Sequence, residues 1–228
     1  MSDNNQSSYR SIFKATSLFG GVQVYQILIQ IIKSKFIAIL LGPAGIGIIG
    51  LYQSGLQFVQ QLTNMGLAQS AVRDVSEANG TGDKQRIAHT ITVVRRLVWI
   101  TGLLGLIAVA VLSPLLSKSS FGNYDYTIPF IILSFTLLLD QLSAGQKVVL
   151  QGMRRLKELA KCSAFGATFG LITSVPLYYF IGIKGIVPSL ILNSACMLLL
   201  SWIYSKRVKV EPIRVTTKQT FEQGKLML

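Results

Sequence analysis

The sequence contains few of the side chains that most enzymes use for catalysis. Its 228 residues include one histidine, two cysteines and nine Asp and Glu residues together. The lone His89 and the separated Cys162 and Cys196 give no spacing for a zinc site, and one histidine argues against Ser/His or Cys/His catalysis. No Gly-Lys-Ser/Thr phosphate loop occurs. The sequence therefore predicts no enzyme, no metal site and no cofactor.

Charge is also scarce: only 14% of the residues are charged, whereas 50% are hydrophobic. A soluble domain of this length needs far more polar surface. The net charge of +13 does not indicate nucleic-acid binding, because such proteins place their charge on a soluble face beside an ordinary core. Here the basic residues flank long apolar stretches, as in proteins that lie among anionic lipids.

The basic residues are unevenly distributed along the chain. Seventeen of the 22 Lys and Arg residues lie in the N-terminus, two internal loops and the C-terminal tail. The three alternate loops carry only Lys118 and Lys184. This positive-inside pattern predicts an even number of membrane spans with both ends in the cytoplasm.

Six stretches are long enough to cross a membrane, which requires about 20 apolar residues. The sequence predicts an all-α membrane protein with one six-helix lobe over residues 17–204, between a cytoplasmic N-terminus (1–16) and a basic tail (205–228). The tail ends in what we expect to be the start of a seventh helix of a longer protein. Gly166 and Gly170 predict close helix packing. The predicted spans are 17–41, 45–71, 97–116, 127–147, 164–181 and 186–204.

The first span carries a polar stripe, because Gln23, Gln26, Gln30 and Lys33 recur at helical spacing on one face. Lys35 lies close to this stripe. Both lysines could reach the membrane interface with their alkyl stems. Alternatively they face a hydrated cavity, because ionisable groups inside a membrane usually mark a substrate path.

The second span carries another stripe at helical spacing, formed by Gln53, Gln57, Gln60 or Gln61, and Asn64. Amide side chains can simply form hydrogen bonds between helices. Two neighbouring spans with amide-lined faces favour a wet central cleft.

Three charged residues are candidates for coupling or gating: Asp140, Arg73 and Asp74. Asp140 and Lys147 lie two turns apart on nearly one face of the fourth span. Asp140 is the deeper candidate, whereas Lys147 is either part of the cavity wall or an interfacial anchor. Arg73 and Asp74, at the end of the second span, form either a helix-end charge pair or a gating pair.

Four parts of the chain have a familiar pattern: Leu40–Gly47, Gly50–Ser54, Gly66–Ala68 through Val72–Arg73, and the basic loop Gln151–Lys161. They resemble the Wzx-type O-antigen flippases, also called polysaccharide biosynthesis proteins, of the multidrug/oligosaccharidyl-lipid/polysaccharide exporter superfamily. The resemblance extends over essentially the whole chain as an N-terminal lobe. Members of the family typically have twelve or more helices in two lobes.

The resemblance implies a flippase of the bacterial inner membrane that moves a polyprenyl-pyrophosphate-linked oligosaccharide between leaflets. Its partners would be this lipid-linked oligosaccharide, membrane lipids and candidate glycan polymerase and chain-length proteins. Lys33, Lys35 and Lys147 would offset the pyrophosphate charge. The sugar hydroxyls would be contacted by Gln23, Gln26, Gln30, Gln53 and Gln57.

Two alternatives remain open from the sequence. A cation-coupled small-molecule exporter of the same superfamily would depend mainly on Asp140. A non-transporting membrane scaffold of a glycan-assembly complex would use the polar stripes only as contacts between helices.

Overall fold

The computed structural model describes residues 3–64 and 66–208, with side chains at Ser17 and from Gly20 onward. The regular structure of these residues is entirely helical. The predicted start of a seventh helix lies outside the described residues. Within the described ranges, six helices and one short 3-10 turn (Gly182–Gly185) follow in chain order: α1 (Asp3–Asn64), α2 (Leu67–Thr81), α3 (Lys84–Phe121), α4 (Thr127–Gly152), α5 (Leu156–Ile181) and α6 (Ile186–Ser205).

Helix α1 consists of two arms that meet at Gly42. Gly42 has φ 65° and ψ −171°, a conformation almost restricted to glycine, and Pro43 follows it. We call residues 3–41 the first arm and residues 43–64 the second arm. A side chain at Gly45 would collide with Leu41, so the arms can meet this closely only because residue 45 is a glycine.

The two arms run in opposite directions. Tyr25 of the first arm is hydrogen-bonded to Thr168 of α5, and further along this arm Leu41 joins the same apolar cluster as Tyr178 of α5. The first arm therefore follows α5. The second arm instead follows α4: its Tyr52 packs on Phe130, and its Asn64 is bonded to Gln141.

A further break separates the second arm from α2. The second predicted span extends to Ala71, but α1 ends at Asn64 and a new helix begins at Leu67. Gly66 precedes α2 in the left-handed conformation, with φ 79°, and this conformation redirects the chain. A second left-handed glycine, Gly82 with φ 70°, ends α2, and Asp83 caps α3 by accepting a hydrogen bond from the Gln85 N–H.

Two apolar clusters form the core, one toward each end of the helices. At the end that carries Gly42, called here the Gly42 end, the cluster includes Tyr52, Val109 and Phe130. At the opposite end, which carries the basic loops and is called the basic end, the cluster packs α2 against α3 and α4. Between the clusters, the helices present polar residues to one another.

Among the described residues, four helical stretches are long and apolar enough to cross a membrane. Two of them, with 45 and 50 residues, are longer than a single crossing of about 30 Å requires at about 1.5 Å per residue. Each of these two contains a reversal, at Gly42 and at the 3-10 turn. The four stretches are Gly20–Asn64, Lys84–Phe121, Thr127–Gly152 and Leu156–Ser205.

Candidate functional site

A polar cavity of about 220 Å³ lies between the second arm of α1, α4 and α6. Seven of its ten lining residues are polar, although the surrounding helices are strongly apolar. We call it the central cavity, because along α4 it lies between the two apolar clusters. Its polar lining residues are Gln53, Gln57, Gln60, Thr136, Asp140, Asn193 and Ser194.

Asp140 is the charged group of this cavity. The Ser194 hydroxyl of α6 donates a hydrogen bond to the Asp140 carboxylate. Thr136 lies one helical turn before Asp140 on α4, and its buried Oγ1 has no hydrogen-bond partner among the described residues. An unpartnered buried hydroxyl is costly. The cavity therefore contains a carboxylate, and the unpartnered Thr136 hydroxyl lies buried in its wall.

The sequence-predicted amides Gln53 and Gln57 belong to this cavity. Both are exposed side chains on the same face of the second arm, one helical turn apart. Each terminal amide carries both a donor and an acceptor. Together with Asn193 they can bind hydroxyl-rich ligands or water from two sides.

A hydrogen-bonded network next to the cavity fixes the packing of three helices. The Gln141 side chain of α4 donates to Asn64 Oδ1 of α1 and to Thr101 Oγ1 of α3, both at 3.0 Å. Gln141 is buried, so these bonds satisfy an amide that water does not reach. This part of the polar layer has a structural role.

Comparison with known families decides the assignment of the chain. The family described as "Polysaccharide biosynthesis protein" matches residues 12–225. The chain belongs to this polysaccharide biosynthesis protein family. The resemblance inferred from the sequence is thereby confirmed. No curated protein and no solved structure matches the chain.

The three lysines predicted to bind pyrophosphate lie in different places in this polysaccharide biosynthesis protein. Lys147 lies on α4 within electrostatic range of Asp140 and Cys162. Lys33 is half-buried on the first arm of α1, whereas Lys35 is exposed. Neither Lys33 nor Lys147 lines the central cavity.

Two of the predicted first-arm residues line a separate groove. Gln30 and Lys35, together with Ser34, line a space of about 530 Å³ that reaches Ile46 of the second arm. Gln23 is exposed and Gln26 is half-buried on the same arm. The stripe is therefore divided, with Gln26 and Lys33 facing inward and Gln23 and Gln30 facing outward.

Arg73 and Asp74 lie on α2, outside the four candidate spans. Arg73 is exposed and Asp74 is half-buried. Burial and the nearby Glu77 raise the pKa of the Asp74 carboxyl, while Arg73 opposes this shift. Because α2 packs along the basic end, this pair is separate from the central cavity.

Three polar residues of the central cavity were not predicted from the sequence: Thr136, Asn193 and Ser194. Asn193 is the one amide in α6, and that isolation in an apolar helix is the signal that could have revealed it. The predicted close packing at Gly166 and Gly170 is confirmed, since a side chain at these positions would collide with Met197 and Asn193. No sequence spacing links Asp140 to Ser194, because their contact arises only when α4 packs against α6.

Proposed function

We propose that this protein translocates a polyprenyl-pyrophosphate-linked oligosaccharide across the bacterial inner membrane by alternating access. The observation that carries the proposal is the central cavity, a pocket of amides, hydroxyls and one carboxylate inside apolar helices. Family membership supports a role in polysaccharide biosynthesis. The proposal assigns no catalytic step to this chain, and it makes the glycan polymerase and chain-length proteins its candidate partners.

The proposed topology has six crossings. The reversals at Gly42 and at Gly182–Gly185 divide the two longest apolar stretches into two crossings each. Under the positive-inside rule, the basic end faces the cytoplasm and the Gly42 end faces the periplasm. Both ends of the chain are then cytoplasmic.

In this proposal the cavity binds part of the substrate rather than all of it. A volume of about 220 Å³ is below the roughly 300–1,000 Å³ of a site that encloses a drug-sized ligand. Gln53, Gln57 and Asn193 would contact sugar hydroxyls. Lys33 would attract the pyrophosphate as a point charge from the inward face of the first arm.

A second candidate function is cation-coupled export of a small molecule. The hydrogen bond between Asp140 and Ser194 and the unpartnered Thr136 Oγ1 favour it, because oxygen atoms are the ligands of small hard cations. This candidate places the essential group at Asp140. The flippase proposal instead distributes substrate contacts over Gln57, Asn193 and Lys33.

Reconstitution into proteoliposomes tests the proposal. The substrate is a fluorescent polyprenyl-pyrophosphate oligosaccharide, and the measurement is the rate at which it reaches the opposite leaflet. We expect Gln57→Leu and Lys33→Ala to slow translocation, while Phe58→Leu, on the lipid-facing side of the same arm, leaves it unchanged. Phe58 is a suitable control because it is 61% exposed and does not line the cavity.

The outcomes separate the candidates. If Asp140→Asn abolishes transport while Lys33→Ala and Gln57→Leu are tolerated, the cation-coupled exporter is favoured. If both Lys33→Ala and Lys33→Glu flip the substrate normally, the role of Lys33 is wrong. A chain that neither binds nor moves the lipid-linked oligosaccharide contradicts the proposal and favours a scaffold.

A further inference from the structure

A second, much larger cavity lies at the Gly42 end, between α4, α6 and the second arm of α1. It is a groove of about 780 Å³, within the range of sites that enclose a small organic ligand. Its walls are mainly aliphatic, with Ile132 on α4 and Val187 and Ile191 on α6. We call it the apolar groove. It follows the same three helices as the central cavity but lies nearer to the Gly42 end.

Only two of the residues that line the groove are charged, and their charges are opposite. Asp125 lies in the turn before α4, and Lys184 lies in the 3-10 turn before α6. Both are exposed. Arg86–Glu77 and Arg155–Glu158 are salt bridges in the part of the chain that the structure describes, and none there joins Asp125 to Lys184.

This combination of a hydrocarbon-lined groove and separated opposite charges matches one class of membrane molecule. A zwitterionic aminophospholipid carries acyl chains, a phosphate and an ammonium group. Lys184 can bind the phosphate as a point charge, and Asp125 can accept hydrogen bonds from the ammonium. Phosphatidylglycerol and a polyprenyl phosphate each offer a phosphate for Lys184 but no cationic group for Asp125.

We propose that the apolar groove is a binding site for a phosphatidylethanolamine molecule, with one acyl chain along α6 and the headgroup between Asp125 and Lys184. In the orientation of the proposed function, the groove opens to the periplasmic leaflet. The binding of the lipid does not depend on that orientation. Through α4 and α6 the bound lipid would contact the same helices that form the central cavity. The site would thus make the packing of these helices depend on the surrounding lipid.

Native mass spectrometry of the purified full chain tests this site. The chain in mild detergent is offered equal amounts of phosphatidylethanolamine, phosphatidylglycerol and a polyprenyl phosphate. We expect retention of one phosphatidylethanolamine, weakened about fivefold by Lys184→Ala, the effect of one basic residue near a phosphate headgroup. Lys118→Ala is the matched control, because Lys118 lies at the same end and packs over the Tyr124 ring.

Two further variants distinguish a specific site from general lipid contact. Asp125→Lys should shift the preference toward phosphatidylglycerol, because the groove then carries two positive charges. Ala195→Phe should fill the groove and abolish retention, whereas Val111→Phe, on a surface that is 71% exposed on α3, should not. Circular dichroism of each variant confirms that it remains helical.

Three results would overturn the proposal. One is equal retention of phosphatidylethanolamine by the wild-type chain and the Lys184→Ala and Asp125→Lys variants. Another is a wild-type preference for phosphatidylglycerol. The third is selective retention of the polyprenyl phosphate, which would make the groove a substrate site. None of these results depends on translocation, so failure here is distinguishable from failure of the flippase proposal.

Discussion

Gly170 of α5 lies directly against the side-chain amide of Asn193 on α6, so close that a side chain at position 170 would collide with Asn193 Oδ1. Asn193 in turn lines the central cavity. Gly170 does not line the cavity, but it affects the cavity through Asn193, because a glycine on α5 leaves the space that the Asn193 side chain occupies.

The first prediction concerns this contact. Gly170→Ala should displace Asn193 and reduce transport substantially while the protein still folds, because only one side chain must move. Gly166→Ala is the matched control, since it meets the flexible Met197, which does not line the central cavity. The measurement is the initial translocation rate in proteoliposomes. Equal rates for the two variants would show that Asn193 has no role in transport.

The second prediction concerns the Gln141 network. Gln141→Leu should lower the free energy of unfolding by about 1 kcal/mol, the scale of side-chain hydrogen bonds between helices in membranes. The double variant with Asn64→Leu should cost less than the sum of the two single changes, since both remove the same bond. Thermal unfolding of the purified chain measures this. The control is Gln151→Leu, at an exposed position of α4, and additive costs would contradict the network.

The third prediction concerns the reversal of α1. Gly42→Ala should destabilise the chain by about 1–3 kcal/mol, because its backbone conformation is strained for any residue with a side chain. Open space surrounds position 42, so the cost arises from the backbone alone. Gly47→Ala, also in open space but helical, should stabilise the chain by up to about 1 kcal/mol. Similar melting temperatures for both variants would mean that α1 does not reverse at Gly42.

The fourth prediction concerns pH and Asp74. Because burial and Glu77 raise the pKa of Asp74 in the folded chain, folding favours the protonated carboxyl. Its stabilising effect is present at low pH and is lost as the pH rises through the raised pKa. Asp74→Asn should therefore stabilise the chain at neutral pH by less than about 1 kcal/mol, since solvent screens the half-exposed group.

Melting temperatures at about pH 2.5 and about pH 7.5 bracket the titration of an ordinary or raised Asp, whose unperturbed pKa is about 3.9. The amount by which the melting temperature of Asp74→Asn exceeds that of the wild type should increase with pH. Arg73→Gln should increase the loss of stability that the chain with Asp74 shows as the pH rises, because Arg73 opposes the upward shift of the Asp74 pKa. If the melting temperatures of the two proteins differ by the same amount across this pH range, the titration of Asp74 does not contribute to the pH dependence of stability.

Much of the fold was predictable because apolar length and glycine chemistry are local properties of the sequence. The turn at Gly42-Pro43 follows from the run Phe36–Val72, which contains no charged residue and is too long for a single crossing. The early end of the second span at Asn64 was not predictable, since Leu67 and Ala71 are as apolar as the span before them. Their burial in the cluster at the basic end depends on packing against other helices.

The site was predictable only in part, for a similar reason. Helical spacing placed Gln53 and Gln57 on one face, and the structure confirms that they share a cavity. Spacing within one helix carries no information about Ser194 or Asn193, which reach Asp140 and these amides from α6. The fixed helical period also predicted a single stripe on the first arm, but contacts with α5 divide that stripe into an inner and an outer face.

The most direct test of the central claim is the thiol accessibility of position 57 in intact membranes. Single cysteines are placed at positions 57 and 58 in a background without Cys162 and Cys196. A water-soluble thiol reagent should label position 57, and lipid-linked oligosaccharide should slow the labelling. In the proposed topology the exposed Phe58 faces lipid, so position 58 should remain unlabelled. If position 57 is as unreactive as position 58, or reacts at the same rate with and without the substrate, the central cavity is not a hydrated substrate site.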